Sequence, residues 1–157
     1  ELVVKNSSGN VEADALFADF MELSSTSGHV EATSLDAERL IIGSTRGNVY
    51  LEEITGNMRV KSTSGNLELR QIKGELEART TSGNLRLRYF DGQTSLTSTS
   101  GNVTVANGKG LSYVKTTSGE IDGYDLMLDG DLSLRSTSGD IELQVLNDFE
   151  DFLLLTN

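Results

Sequence analysis

One short motif recurs eight times along a chain of 157 residues, and this limits the chain to folds that build the same local geometry repeatedly. Runs of Ser and Thr end in a glycine at Gly9, Gly28, Gly47, Gly65, Gly83, Gly101, Gly119 and Gly139, at intervals of 19, 19, 18, 18, 18, 18 and 20 residues. Between the glycines the apolar residues alternate with period two rather than 3.6, the pattern of strands. Two residues after each glycine stand Val11, Val30, Val49, Leu67, Leu85, Val103, Ile121 and Ile141. A second alternating pair, such as Met58 and Val60 or Leu76 and Ala78, precedes the next Ser/Thr run and is often introduced by a glycine such as Gly56, Gly74, Gly92, Gly110 or Gly130. A further apolar residue between the two pairs (Leu16, Leu35, Ile54, Ile72 or Phe90) brings the inward positions to about five per unit.

A unit this short cannot bury its apolar face alone, whereas stacking copies in register does so. The sequence therefore predicts an all-β, single-stranded β-solenoid, a β-helix of about eight 18-residue coils, with residues 1–157 forming a single repeat domain. Coils rising by about 4.8 Å each would make a rod on the order of 40 Å long. The six-residue apolar rhythm usual in left-handed solenoids is missing, so a right-handed coil is expected. Antiparallel hairpins would use the same strands but leave the near-identical turns no reason to stack.

Stacking turns matching positions into columns. The glycine column is expected at tight corners that need positive φ, where a side chain costs roughly 1 kcal/mol or more. The residue after the glycine is Asn10, Asn48, Asn66, Asn84 and Asn102 in five units, and is read as an amide ladder bonding to counterparts above and below; His29, Glu120 and Asp140 interrupt it. The Ser and Thr residues are expected to cap backbone groups at the corner. His29 is the only imidazole, and nothing pairs it with one hydroxyl among many, so neither a catalytic serine nor a histidine ligand is predicted.

Composition excludes several function classes. The net charge of −11 and pI of about 4.4 disfavour nucleic acid. The absence of cysteine removes disulfides, zinc-thiolate sites and thiol nucleophiles. No apolar run approaches the roughly 20 residues that span a bilayer. One outward column reads Glu12, Glu31, Tyr50, Glu68, Arg86, Thr104, Asp122 and Glu142, while another carries Lys5, Lys61, Arg79, Lys115 and Arg135, so two faces should differ in sign. Acids gather in the seventh unit at Asp122, Asp125, Asp129 and Asp131, oxygens that calcium uses, but at the spacing of no EF-hand loop or nonapeptide calcium repeat. Phe149, Phe152 and Leu153 to Leu155 would lead into a ninth coil at Asn157, so the chain reads as a fragment of a longer one. Exposed coil ends would favour end-to-end self-association.

The recurring Ser-Thr-Ser-Gly-Asn and Thr-Thr-Ser-Gly-Asn corners, each followed by alternating Val or Leu and a mid-unit glycine, resemble a bacterial adhesin-like family of β-strand repeat domains of unknown function. That family includes the C-terminal domains of LiaX-type surface proteins. The resemblance spans Asn6 to Leu155. It implies a β-solenoid on a bacterial envelope protein, at or beyond the membrane, with relatives that sense envelope stress and antimicrobial peptides and with no defined catalytic residues.

The function expected is thus a non-enzymatic binding or scaffold module at the bacterial cell envelope or extracellular surface, without cofactor. Its partners would be a protein, peptide or glycan, its acidic columns attracting cationic peptides. Two alternatives stay open. A polysaccharide lyase or hydrolase would use Asp122 and Glu142 near Arg135. An ice-binding solenoid would use the threonine column Thr26, Thr45, Thr63, Thr81, Thr99, Thr117 and Thr137, which sits at a corner beside Lys and Arg rather than on a flat uncharged face.

Overall fold

The alternating residues form eleven strands in the computed structural model, which describes residues 1–146. They are β1 (Leu2–Asn6), β2 (Val11–Ser25), β3 (Val30–Ser44), β4 (Val49–Ser64), β5 (Leu67–Lys73), β6 (Leu76–Ser82), β7 (Leu85–Ser100), β8 (Val103–Ser118), β9 (Ile121–Met127), β10 (Ser133–Ser138) and β11 (Ile141–Val145). Every strand pairing is parallel. Each residue pairs with its equivalent one repeat further on: Val11 with Val30, Val30 with Val49, Val49 with Leu67, Leu67 with Leu85. The chain is a β-solenoid of about eight coils, because only in-register parallel stacking puts every apolar residue of a unit over its copy. Phe149, Phe152 and Leu153 to Leu155, which carry the expectation of a ninth coil, lie outside the described residues.

Six inward columns make the core. In the coil from Gly65 to Gly83 they are Leu67, Leu69, Ile72, Leu76 and Ala78, all buried, and the buried hydroxyl of Thr80. The parallel strands bury only their inward face, the sides of each coil covering one another, while the alternate residues such as Glu68 and Arg70 face outward. Among the described residues Phe90 is the one aromatic ring in the buried apolar core, and the next residue of its column is Gly108. A Cβ on Gly108 would lie 2.1 Å from Cε1 of Phe90, so the ring fills the place that a side chain occupies in other coils.

The corners differ from the expectation in two ways. Among the eight corner glycines only Gly83, Gly101, Gly119 and Gly139 have φ in the left-handed half, at 141 to 154°, so positive φ does not explain the whole column. From Gly28 onward all share another constraint: a Cβ would lie 2.1 to 2.3 Å from the carbonyl oxygen of the corner glycine one coil earlier. The column is glycine because backbone stacks on backbone there.

The left-handed bend of each coil falls instead on non-glycine residues. Ala15, Ser34, Glu53, Gln71, Tyr89, Asn107 and Asp125 have φ of 52 to 57°, at a cost of roughly 1 kcal/mol or more apiece. Each sits where the apolar interval lengthens from two residues to three, as in Leu69–Arg70–Gln71–Ile72. The bend turns the third residue back into the core, and burial of Ile72, at roughly 1.5 to 3 kcal/mol, offsets the strain.

Coil length is set at the mid-unit corner. In the two 19-residue repeats the exposed Asp19 and Glu38 stand opposite each other, outside the pairing with the flanking residues, and from Gly56 onward one residue fewer is needed. A Cβ on Gly56, at φ 133°, would stand 1.8 Å from the Ala37 carbonyl oxygen, so glycine permits the shorter corner. The seventh repeat carries its extra residues between β9 and β10, where Asp129, Gly130 and Asp131 are exposed.

Candidate functional site

Because coils stack in register, every outward position becomes a line of side chains running along the axis. Nearest the corner is the line that includes Asn10, Asn48, Asn66, Asn84 and Asn102. Its bonding runs from side chain to backbone rather than from amide to amide. The Oδ1 of Asn48 accepts the N–H of Asn66 at 2.9 Å, Asn66 Oδ1 accepts that of Asn84 at 2.8 Å, and Asn84 Oδ1 that of Asn102 at 2.9 Å. His29 continues this line: its backbone N–H donates to Asn10 Oδ1 at 3.0 Å, and its Nδ1 accepts the N–H of Asn48 at 3.0 Å. The imidazole therefore performs the task of an asparagine carbonyl.

Three residues before each corner glycine from Gly28 onward a hydroxyl points inward and holds the corner shut. Ser25 Oγ donates to the Gly9 carbonyl at 2.8 Å and accepts the Gly28 N–H at 2.9 Å. Ser44 repeats this with Gly28 and Gly47. In the later coils Thr80, Thr116 and Ser136 donate to Gly65, Gly101 and Gly119 at 3.0 to 3.2 Å. These hydroxyls are spent on backbone oxygens and have no base beside them.

The acid-leaning column places Glu12 under Glu31, then Tyr50, Glu68, Arg86, Thr104, Asp122 and Glu142. Like charges on adjacent coils lie close enough to repel by roughly 1 kcal/mol in water, and the interrupting Tyr and Arg break the runs. Tyr50 donates to Glu52 at 3.0 Å; this bond, with desolvation, pushes its phenol above the ordinary range. Arg70 approaches Glu52 at 3.6 Å and lies over the Tyr89 ring at 5.8 Å. On another side Arg59 donates to Glu77 at 2.7 Å, and Arg79 also pairs with it. The Arg59 bond above all holds the Glu77 carboxyl below the usual range.

The cationic column contains Lys5, Ser24, Gly43, Lys61, Arg79, Thr97, Lys115 and Arg135 in stacking order. A groove runs beside it, with Lys61 and Arg79 on one rim, Thr45, Thr63 and Thr81 on the other, and the hydroxyls of Ser44, Ser62 and Thr80 along its floor. Both rims are evident in the sequence as columns; the groove between them is not, and its one signal is the Ser or Thr that separates them in every unit from Ser25 onward.

The remaining candidates are not gathered into a centre. Asp122 pairs in register with Glu142, but Arg135 belongs to the cationic column beyond the corner glycine and forms no ion pair with either among the described residues. Among those residues no group of three or more His, Asp or Glu is placed to hold a metal ion. Asp129 instead approaches Lys109 at 3.6 Å. No helix among them is long and apolar enough to cross a membrane.

Comparison with known proteins adds one finding. A family profile described as Toastrack DUF4097, a domain of unknown function, matches residues 1–96 and 91–154. No curated protein and no solved structure matches the chain.

Proposed function

The chain belongs to the Toastrack family, and from that premise we propose that it is a non-enzymatic, adhesin-like binding or scaffold module of the bacterial cell envelope, engaging cationic peptides as part of envelope-stress or antimicrobial-peptide sensing. The observation that carries this reading is the register itself. It converts each outward position into a line of groups about 4.8 Å apart, a spacing suited to an extended or repetitive partner and to no compact substrate. Glu12, Glu31 and Glu68 lie on one such line and Asp14 and Glu52 on its neighbour, on a chain of net charge −11. Such a surface concentrates cations and speeds their association.

Titration with a Lys-rich peptide at low and high salt tests the reading. Salt-sensitive binding that weakens in Glu12→Gln/Glu31→Gln is expected; absence of salt-sensitive binding overturns the peptide role. Surface labelling of the full protein in its own bacterium tests the location, and a label excluded until the cells are broken overturns it.

A further inference from the structure

The charges of this chain are segregated more sharply than its net charge suggests. The four positions from the cationic column to the residue before each corner glycine form a strip along the rod: Lys5–Ser8, Ser24–Ser27, Gly43–Arg46, Lys61–Ser64, Arg79–Ser82, Thr97–Ser100, Lys115–Ser118 and Arg135–Ser138. This strip holds six of the 13 basic residues and none of the 24 acids. Its basic side chains are exposed. Arg79 and Lys5 pair with Glu77 and Glu22 beside the strip, and Arg46 donates to Ser27. Lys61, Lys115 and Arg135 form no ion pair among the described residues. The threonines of the outer rim, from Thr26 to Thr137, are exposed and their hydroxyls make no hydrogen bond within the described residues.

We infer that this strip is a binding groove for a linear acidic polysaccharide lying along the solenoid axis. The inference rests on the reading of the rod as a binding module, and adds a second face and a ligand class. Cations on one rim answer carboxylates of the polymer, while threonine hydroxyls on the other answer its sugar hydroxyls as donors and acceptors. The threonines recur once per coil from Thr26 to Thr137, and Lys or Arg holds five of the eight positions on the cationic rim. Coils lie about 4.8 Å apart, a step comparable to one sugar residue in an extended chain, so successive sugars meet a hydroxyl at every coil over about 29 Å and a cation at Lys61, Arg79, Lys115 and Arg135. The overall negative charge does not forbid this, because at physiological salt charges beyond about 8 Å are largely screened. A single-stranded nucleic acid would meet the same cations, but the strip has no aromatic side chain on which bases could stack.

Calorimetric titration of the 157-residue chain with polygalacturonate, neutral dextran and oligo(dT) tests the assignment. Polygalacturonate should bind, and its affinity should fall at least tenfold between about 50 and about 300 mM NaCl as counterions are released; dextran and oligo(dT) should bind at least tenfold more weakly. The variant Lys61→Gln/Lys115→Gln/Arg135→Gln should lose about tenfold or more in affinity. The control Lys73→Gln/Arg86→Gln/Arg88→Gln removes equal charge outside the strip and should lose less than about threefold. All six side chains are exposed, and unchanged circular dichroism and melting confirm folding. Equal loss in both variants, equal binding of oligo(dT) or dextran, or no binding of polygalacturonate overturns the inference. The peptide titration addresses other columns, so either proposal can fail while the other stands.

Discussion

Substituting Gly83 by alanine tests whether backbone contact between coils dictates the glycine column. Its new Cβ would lie 2.2 Å from the Gly65 carbonyl oxygen, where ordinary contact begins at 3.4 Å. The corner must therefore open by about 1.2 Å, and no flexible side chain can yield instead, because the opposing atom is backbone. The bonds that cross that junction include three at the corner itself: Gly65 N–H to Ser82 O at 3.0 Å, Thr80 Oγ1 to Gly65 O at 3.2 Å and Asn84 N–H to Asn66 Oδ1 at 2.8 Å. Stretched by an ångström, all three pass out of bonding range, at about 1 kcal/mol each. The expected loss is about 3 kcal/mol, before any wider shift of the core, which would add about 1 to 3 kcal/mol. Gly130→Ala is the internal control, since nothing lies within 4 Å of its Cβ position, and it should change stability by less than about 0.5 kcal/mol. Urea unfolding followed by far-ultraviolet circular dichroism measures both. Because the lesion lies between coils, the two halves of the rod should also uncouple and the transition of Gly83→Ala should broaden. A Gly83→Ala midpoint indistinguishable from that of Gly130→Ala would refute the reasoning.

Two more outcomes follow from the core and from the charge pairs. Phe90→Ala should lose about 3 to 5 kcal/mol; adding Gly108→Leu, the residue that this column carries at Leu35 and Leu126, should recover part of it. Gly108→Leu alone should destabilise by forcing a side chain into the ring, so additive effects in denaturant unfolding would disprove the complementarity. For Glu77, a carboxyl held below its ordinary range contributes stability that is complete above that range and disappears as pH falls through its folded value. The melting-temperature gap between the native chain and Glu77→Gln should be small, as befits a part-exposed pair, present at pH 7 and narrowing as pH falls below the ordinary carboxylate range. A gap independent of pH would discount the Arg59 and Arg79 bonds as its cause.

Much of the candidate site is legible in the repeat itself. Lys61 and Arg79, or Glu12 and Glu31, are predicted to lie on adjacent coils as soon as the period is known, since equal positions in equal units must stack. The groove between the cationic and threonine rims is less legible, because its floor is the inward column of Ser44, Ser62 and Thr80, whose hydroxyls are consumed by glycine carbonyls one coil away. In the letters alone His29 is a break in the asparagine line; only the position of Asn48 N–H, at 3.0 Å from Nδ1, makes it a continuation. The left-handed non-glycine residue of each coil leaves a trace in the sequence, the three-residue apolar interval at Leu69 to Ile72, but no residue type marks it.

Period, strand alternation and the sidedness of each column were determined by the sequence alone, because they depend only on distance along the chain and on which residues avoid water. Contacts between coils were decided by the tertiary structure: why the corners are glycine, what Gly108 leaves room for, which atoms the asparagines bond. Those depend on how closely two backbones approach one another, a distance between residues 18 positions apart that no local pattern encodes.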